Sequence, residues 1–373
     1  MKRVSPTVIE VDLEAIRHNY KQLRKRYPAS AKTLCVVKSN AYGHGAGRVA
    51  KVLQEEGSDW FGTGTVDEGL ELRESGVKKP ILLLMGMIEG HPSCTLRYQL
   101  TPVVYEISEA EKLHEFLAHS KRKLPIHIKV DTGMSRLGVL PREFGAFCDR
   151  LKPLSSLDPV GLMTHFSDVA NAEWTTKQTK LFDAAKTIFL EKFPGPKVFH
   201  MANTQAAIEG KVGMGDSDWM VRLGISLYGA YPLEKDKKLV DLQPALTLKS
   251  KVISVKKIPA KTPVSYLRSY VTKKDSVIGV IPVGYADGYP RCLSNEAHVL
   301  IRGKRVPVIG IVTMDMIMVD LTSLPNAKVG EEVVLIGTQA KEEIRVEEVA
   351  KWADTISYEI LSRLSPRIPR VYI

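Results

Sequence analysis

The sequence contains few cysteines, and their spacing does not favour metal binding. Four cysteines lie far apart among 373 residues, with no CxxC pair and no zinc-ligand spacing. This argues against a structural zinc site and against a disulfide framework. The longest apolar run, ILLLMGMI at residues 81–88, is also far shorter than the roughly 20 residues that cross a bilayer. We therefore expect a protein of the reducing cytoplasm, not of a membrane.

Other targeting and nucleotide-binding patterns are missing as well. The N-terminal segment MKRVSPTVIEVDLE has no apolar stretch of the kind found in signal peptides. The segment GTGTVD at residues 62–67 departs from GxGxxG at its last position, and no GxxxxGK[ST] occurs. These absences argue against a secreted protein, a dinucleotide-binding fold and a P-loop nucleotidase.

The charge balance is basic without being organised for nucleic acid. Lys and Arg number 53 against 42 Asp and Glu, which gives a net charge of +11. The basic residues are scattered among acids and are not interleaved with aromatic residues. We expect a solvated basic surface that attracts anionic substrates, and no nucleic-acid partner.

Between residues 33 and 230 the chain alternates short apolar runs with amphipathic stretches. Eight runs are predicted strands: 33–37, 60–65, 81–85, 101–105, 126–130, 160–166, 197–202 and 221–229. Helical spacing of apolar residues appears at 47–56, 66–74, 106–120 and 175–192. Eight such units predict a (β/α)8 TIM-like barrel over residues 9–236, with a doubly wound sheet as the runner-up.

The pattern changes at about residue 237. Helical spacing nearly disappears, and apolar or alternating runs separated by Gly, Pro, Asn and Asp continue to the end of the chain. One helical stretch, RVEEVAKWAD, interrupts them. Residues 237–373 are therefore predicted to form a mainly-β C-terminal domain.

Polar residues stand at the ends of several predicted barrel strands, where TIM-barrel active sites lie. They are Lys38, Arg136, His165, Asn203 with Thr204, and Arg222 with Gly224. Singly, each has an ordinary structural explanation, such as a buried histidine or a salt-bridged arginine. Together at one end of a barrel, they predict a shared site.

Lys38 has the most informative position of the group. A lysine that is partly desolvated and close to cations has a lowered pKa, which makes its amine a nucleophile. Schiff-base chemistry with a carbonyl, including that of pyridoxal 5'-phosphate (PLP), is the natural use of such a lysine. Asn203-Thr204 and Leu223-Gly224-Ile225 offer backbone N–H groups for a phosphate.

Several sequence motifs together resemble those of a known family. VVKSNAYGHG closely resembles the PLP-attachment motif of alanine racemases. KVDTGMSRLG, THFSDVAN, HMANT, VRLGISLYG, TPVSY, VGYADGY, VTMDMIMVD and TISYEILSRLSPRIPRVY match further family motifs in the family's order. The resemblance implies the same two domains, with an N-terminal strand at residues 1–8 joining the second.

The resemblance also implies residue roles. Lys38 would hold PLP and act as base on one face of the substrate, while Tyr266, supplied by the partner of a homodimer, would act on the other. Arg222 would face the pyridine nitrogen, which favours racemisation over transamination because arginine keeps its proton. The remaining cofactor contacts would be Tyr42, His165, Asn203, Thr204, Gly224, Ile225 and Tyr358.

Substrate contacts follow in the same way. Arg136 and the Met314 backbone would bind the carboxylate of alanine, while Tyr285 and Asp315 would line the way into the pocket. In some members the lysine matching Lys129 is carbamylated, and this sequence permits it. Four positions depart from the common pattern of the family: Ser39, Leu267, Thr313 and Met316.

The implied function is racemisation of alanine, supplying D-alanine for peptidoglycan. Rival hypotheses are a broad-spectrum racemase, a different PLP barrel enzyme such as a decarboxylase or D-amino-acid aldolase, and a non-catalytic PLP-binding protein. The β domain with Tyr266 favours the racemase, since a carrier protein needs no second base.

Overall fold

The computed structural model describes residues 5–87, 92–118, 122–211 and 218–373. After a first strand β1 (Val8–Val11) and helix α1 (Leu13–Arg24), eight parallel strands close into a barrel. These strands are β2 (Lys32–Val36), β3 (Trp60–Thr63), β4 (Ile81–Leu83), β5 (Leu100–Val104), β6 (Leu124–Lys129), β7 (Leu157–Met163), β8 (Val198–His200) and β9 (Asp218–Leu223). The predicted barrel is confirmed and the doubly wound sheet is excluded.

Helices connect the barrel strands. They are α2 (Ala46–Glu55), α3 (Val66–Glu74), α4 (Pro92–Arg97), α5 (Ile107–Leu117), α6 (Phe144–Leu151), α7 (Ala172–Lys192) and α8 (Thr204–Ile208). The helix predicted over 106–120 ends earlier, at Leu117, and residues 119 and 120 lie outside the described residues. The strand predicted over 221–229 is wrong in its second half, where residues 225–228 form a 3-10 turn after Gly224.

Side-chain caps explain where several helices begin. Asp12 accepts a hydrogen bond from the Ala15 N–H at 2.9 Å and starts α1. Thr65 and Glu68 form a reciprocal capping box at the start of α3. Each cap satisfies backbone donors that the first helical turn leaves unpaired, and is worth about 1 kcal/mol.

The barrel strands are packed into a continuous buried core below the polar mouth. Leu34, Phe61, Ile81, Val103 and Ile128 are fully buried on neighbouring strands. Burying one such side chain contributes roughly 1.5–3 kcal/mol before the loss of chain entropy is counted. The strand ends above this core are therefore held on a rigid frame.

The C-terminal part forms a second, mainly antiparallel sheet. Its strands are β10 (Leu246–Lys251), β11 (Ser254–Ile258), β14 (Ser276–Ile281), β15 (His298–Ile301), β16 (Lys304–Ile309), β17 (Ile317–Asp320), β18 (Glu332–Gln339), β19 (Glu342–Ile344) and β20 (Arg370–Tyr372), while β12 (Pro263–Val264) pairs separately with β13 (Tyr270–Val271). The predicted helical stretch forms helix α9 (Val346–Trp352), and a second helix that was not predicted, α10 (Ser357–Ser362), follows it. The predicted mainly-β character is confirmed.

The first strand belongs to this second sheet. β1 pairs antiparallel with β10 and parallel with β20. The strand was predicted at residues 1–8, but it lies later in the chain, at residues 8–11. Residues 1–4 lie outside the described residues. The domain bounds at 236 and 237 stay a prediction.

Within the described ranges, the structure contains no helix both long and apolar enough to cross a membrane.

We expect Gly161→Ala to destabilise the barrel. A β-carbon on Gly161 would lie 2.5 Å from two atoms of the His127 ring, so the ring or the strand must shift. Such overpacking typically costs 1–3 kcal/mol.

Urea unfolding measures the change in the free energy of unfolding, with Gly145→Ala as the control. Gly145 lies in α6 with nothing within 4 Å of its position, so alanine there should stabilise by roughly 0.5–1 kcal/mol. Equal stability of the two variants would contradict the packing described.

Candidate active site

A cavity of about 840 Å³ opens at the C-terminal ends of the barrel strands. Eleven of the predicted site residues line it: Lys38, Tyr42, Lys129, Arg136, His165, Asn203, Thr204, Arg222, Gly224, Ile225 and Tyr358. The barrel strands and the segments directly after them supply ten of these residues, and Tyr358 comes from α10 of the C-terminal part. The structure therefore brings the predicted strand-end residues together.

Lys38 stands at the start of an unusual turn. The next four residues, Ser39 to Tyr42, all have left-handed backbone angles, with φ between 51° and 54°. A left-handed turn costs L-residues roughly 1–2 kcal/mol each, and such strain concentrates at functional sites. Part of the compensation comes from Glu68, which accepts the N–H groups of Ser39 at 2.5 Å and Gly64 at 2.6 Å.

The electrostatic environment favours a neutral Lys38 amine. Burial lowers its pKa, and the nearby positive charge of Arg136 lowers it further, while Glu68 opposes the shift. The amine is therefore more available as a nucleophile and as a base than that of an exposed lysine.

Arg222 occupies the centre of the mouth, almost completely buried. Its Nη1 donates to the Nδ1 and backbone oxygen of His200, at 3.1 and 2.9 Å. Its Nη2 donates to the backbone oxygens of Thr164 and Met201 and to Nδ1 of His165, at 2.8, 3.0 and 3.1 Å. Burial lowers the pKa of Arg222 to about 9, so the guanidinium remains charged at neutral pH.

This guanidinium fixes the tautomers of three histidines. Arginine only donates, so Nδ1 of His165 and Nδ1 of His200 must accept. Nε2 of His200 then carries the proton and donates to Nδ1 of His127, 2.8 Å away. Burial lowers the pKa of all three imidazoles, that of His127 to about 3, and the charge of Arg222 adds to the shift. All three are neutral near pH 7.

Sequence reasoning missed His127 and His200. A signal for the first was present, because His127 and Lys129 are two residues apart on β6 and therefore share one face of the strand. His200 ends β8, next to the predicted Asn203. Both lie just beneath the predicted site, where they support Arg222.

Tyr42, Thr204 and Gly224 form a small polar cradle. Thr204 Oγ1 accepts the Gly224 N–H at 2.7 Å. A β-carbon on Gly224 would lie 3.2 Å from Tyr42 Oη and 3.5 Å from Thr204 Oγ1, so glycine leaves this space open. Burial raises the pKa of Tyr42, which keeps its hydroxyl protonated and able to donate to an anion. Asn203 caps α8 by accepting the Ala206 N–H at 3.0 Å.

Arg136 is carried by a loop that Asp131 organises. The Asp131 carboxylate accepts four backbone N–H groups, those of residues 133–136, at 2.9–3.1 Å. Burial raises the pKa of Asp131, but the four donors outweigh it and hold the pKa below its usual value. Among the described residues no carboxylate lies within ion-pair distance of Arg136, so its charge is available to an anionic ligand.

Four predicted residues lie apart from this cavity. Tyr266, Tyr285, Met314 and Asp315 are all exposed on the C-terminal part and do not line the cavity of their own chain. Tyr266 stands at the tip of a turn next to β12, with 69% of its surface accessible. One chain alone therefore does not bring these side chains to Lys38.

The sequence departures at two positions have visible structural consequences. Leu267 adopts φ 59°, a left-handed conformation that the family's usual glycine takes without strain. The Thr313 hydroxyl donates to the backbone oxygen of Met316 at 2.8 Å and accepts its N–H at 3.1 Å, which closes a tight turn. Ser39 and Met316 are exposed, and nothing in the structure explains why these residue types stand there.

Comparison with known proteins identifies the family. Residues 11–232 match the alanine racemase N-terminal domain, and residues 245–372 match the alanine racemase C-terminal domain. The chain belongs to the alanine racemase family. The predicted family is confirmed, and with it the predicted class of enzyme, an isomerase.

Similar alanine racemases match along almost the whole chain. The enzyme of Thermodesulfovibrio yellowstonii is 41% identical over 98% of this chain and 97% of its own length. The solved alanine racemase of Clostridium difficile 630 is 34% identical, with a TM-score of 0.92 over 100% of this chain and 97% of that one. A Bartonella henselae alanine racemase, solved with covalently bound pyridoxal phosphate, is 29% identical, with a TM-score of 0.84 over 98% and 99% of the two chains.

We expect Leu267→Gly to stabilise the protein by roughly 1 kcal/mol, because glycine adopts the left-handed conformation at this position without strain. The Leu267 side chain is 83% exposed, so little packing is lost. Thermal unfolding measures the change, with Leu140→Gly as the control. Leu140 is also exposed but has an ordinary φ of −63°, so glycine there should destabilise. Destabilisation by both substitutions would show that Leu267 is not strained.

Proposed function

We propose that this protein interconverts L-alanine and D-alanine with PLP, using Lys38 and Tyr266 as bases on opposite faces of the substrate. The observation that carries the proposal is the cavity at the barrel mouth. Lys38, with its lowered pKa, lines this cavity together with the buried Arg222 and the polar cradle of Tyr42, Thr204 and Gly224. Family membership over nearly the full length supports it.

The residues of the cavity fit PLP chemically. The cradle of Tyr42, Thr204 and Gly224, with the backbone of Ile225 and the hydroxyl of Tyr358, suits a phosphate. Arg222 donates all its described hydrogen bonds through Nη1 and Nη2, which leaves its Nε–H for a ring nitrogen. Lys38 would attach the group covalently, with His165 and Asn203 flanking it. When bound, PLP withdraws electrons and acidifies the α-C–H bond of an amino acid.

Each residue of the chain then has a definite task. Lys38 Nζ, whose pKa is lowered by burial and by Arg136, removes or returns the α-proton on one face. The Tyr266 hydroxyl does the same on the other face, so the product inverts without rotation of the substrate. Arg136, which has no carboxylate partner of its own, binds the substrate carboxylate together with the Met314 backbone.

The proposal requires a homodimer. Tyr266, Tyr285, Met314 and Asp315 lie outside the cavity of their own chain, and three of them are large and exposed. A partner chain that contributes these residues would complete the site, with Tyr285 and Asp315 beside the way in. Exposed Met316 and Ile356 would be covered in the same assembly.

The physiological part of the proposal is D-alanine supply for peptidoglycan in the cytoplasm. All four cysteines are free, which suits a reducing compartment. We further propose residues 9–236 as the cofactor-binding barrel and 237–373, joined by the first strand, as the domain that supplies Tyr266 to the partner.

Proton NMR of L-alanine in deuterated water, with protein and PLP, tests the activity alongside a chiral assay. We expect the α-proton signal to disappear while D-alanine appears, and both changes to stop in Lys38→Ala. Exchange without D-alanine would contradict the role of Tyr266, and no exchange would contradict alanine as substrate. A panel of other amino acids separates alanine from a broad substrate range.

We also propose that Lys129 carries a carbamate. Burial first, and then the charges of Arg222 and Arg136, lower its pKa to about 8, so part of the amine is neutral near neutral pH. The neutral amine adds CO2, forming an N–C bond and releasing one proton. The resulting anion would neutralise the surplus of positive charge around Arg136.

Carbon-13 NMR with labelled bicarbonate tests the carbamate. We expect one protein-bound carbamate signal that disappears in Lys129→Gln and persists in Lys197→Gln. Lys197 is a suitable control because it is also buried with a lowered pKa, but bonds to the Pro159 oxygen instead of facing arginines. A signal that survives Lys129→Gln would contradict the assignment.

A further inference from the structure

Two loops of the C-terminal part carry three of the residues that the proposed function assigns to the partner's active site. The first, the 284 loop (residues 284–288), contains Tyr285. The second, the 313 turn (residues 313–316), contains Met314 and Asp315. What holds these loops in place therefore decides how well one chain completes the site of the other.

The two loops are in direct backbone contact. The Tyr285 N–H donates to the Thr313 oxygen and the Ala286 N–H to the Met314 oxygen, both at 3.0 Å. A β-carbon on Gly284 would lie 2.3 Å from the Thr313 oxygen, so only glycine permits this approach. Movement of the 284 loop must therefore displace the 313 turn.

One guanidinium clamps both loops. Arg367 Nε donates to Asp287 Oδ1 at 2.6 Å, and Arg367 Nη2 donates to Asp315 Oδ1 at 2.8 Å. The other oxygen of Asp287 accepts the Gly284 N–H at 3.0 Å. Arg367 thus joins an anchored carboxylate of the 284 loop to a carboxylate of the 313 turn.

The 313 turn presents unused donors. Its ends are closed by the contacts of Thr313 with Met316, whereas the N–H groups of Met314 and Asp315 take part in no hydrogen bond among the described residues. Two adjacent free N–H groups form a site for a carboxylate. The charge of Asp315 opposes an anion there, and Arg367 neutralises it.

Fold stability accounts poorly for the ion pair of Arg367 with Asp315. The side chains of Arg367 and Asp315 are 46% and 56% exposed, and ion pairs of such exposure contribute little to stability. The same guanidinium nevertheless makes short contacts with two loops that are far apart in sequence. The remaining explanation is that Arg367 fixes the position of the 313 turn relative to the 284 loop.

We propose that Arg367 is a positioning residue for the racemase, which holds the 313 turn so that its free N–H groups meet the substrate carboxylate in the partner's barrel. This inference rests on the proposed function and on its homodimer. Arg367 itself touches neither substrate nor cofactor, and acts through Asp287 and Asp315.

Steady-state kinetics of the holoenzyme provide the first test. We expect Arg367→Ala to lower kcat/KM for alanine by on the order of 10- to 100-fold, mainly through KM, because carboxylate binding depends on placement. Arg367→Lys should recover part of the loss. Its ammonium group can pair with one carboxylate, but it does not reproduce the planar guanidinium that contacts Asp287 and Asp315 together. If Arg367→Ala fails to fold, Asp315→Ala removes the same contact to the 313 turn.

Arg302→Ala is the matched control. Arg302 lies in the turn between β15 and β16, is 42% exposed and pairs with Glu331 as well as two backbone oxygens. Its removal deletes a comparable surface interaction whose partners lie in neither loop. We expect KM to stay at the wild-type value, and equal KM changes in the two variants would overturn the proposal.

Mixed dimers of two differently tagged chains test action across the interface. When Lys38→Ala is on one chain and Arg367→Ala on the other, the remaining lysine receives a 313 turn that Arg367 still holds. We expect a wild-type KM from this dimer. When both substitutions are on one chain and the partner is wild type, the remaining lysine receives the loosened turn, and KM should rise.

The proposal would be overturned if KM rose in the dimer with one substitution on each chain and stayed at the wild-type value in the dimer with both on one chain. Equal KM values for the two dimers would also overturn it. A third dimer, with Lys38→Ala on one chain and Tyr266→Phe on the other, tests the proposed function separately. It retains one complete site only if Tyr266 acts on the partner's substrate. An inactive third dimer would contradict the proposed function, whereas an active third dimer with no Arg367 effect would contradict only the role of Arg367.

Discussion

The buried guanidinium of Arg222 is the constraint on which the barrel mouth depends. Among the residues that the structure describes, three backbone oxygens and two imidazole nitrogens hold it, and no carboxylate does. Its charge therefore remains uncompensated within the barrel, and it lowers the pKa of His165, His200 and Lys129. A site of this kind has an intrinsic attraction for anions, and the proposed phosphorylated cofactor and carboxylate substrate would supply them.

The strained turn after Lys38 complements this electrostatic arrangement. Four successive left-handed residues place the lysine and Tyr42 on the same cavity within one turn of chain. The turn ends against the C-terminal part, where Arg370 Nε donates to the Gly43 oxygen at 3.1 Å. Strain in the turn after Lys38 is thus compensated by contacts from the C-terminal part and from Glu68, so the barrel depends on its neighbour for its geometry.

Much of this was accessible from the sequence, and the limits have physical reasons. Strand rhythm predicted the barrel because buried parallel strands must be apolar, and the ends of those strands predicted Lys38, His165 and Arg222. His200 was missed because a histidine that ends a buried run has the same pattern as a core residue. Arg367 was missed because its partners, Asp287 and Asp315, are 80 and 52 residues away in the chain, and no local pattern encodes such a contact.

The position of β1 has a consequence for how the protein is made. This strand lies between β10 and β20, so its two hydrogen-bonding partners are translated about 240 and 360 residues after it. The Ile9 and Val11 side chains are fully buried in the finished sheet. The strands that pair with β1 are synthesised only after the entire barrel. Because β20 is the last of the described strands to be translated, the sheet closes only after every other described strand has been made. The whole barrel is therefore translated before the sheet that carries Tyr266 can close.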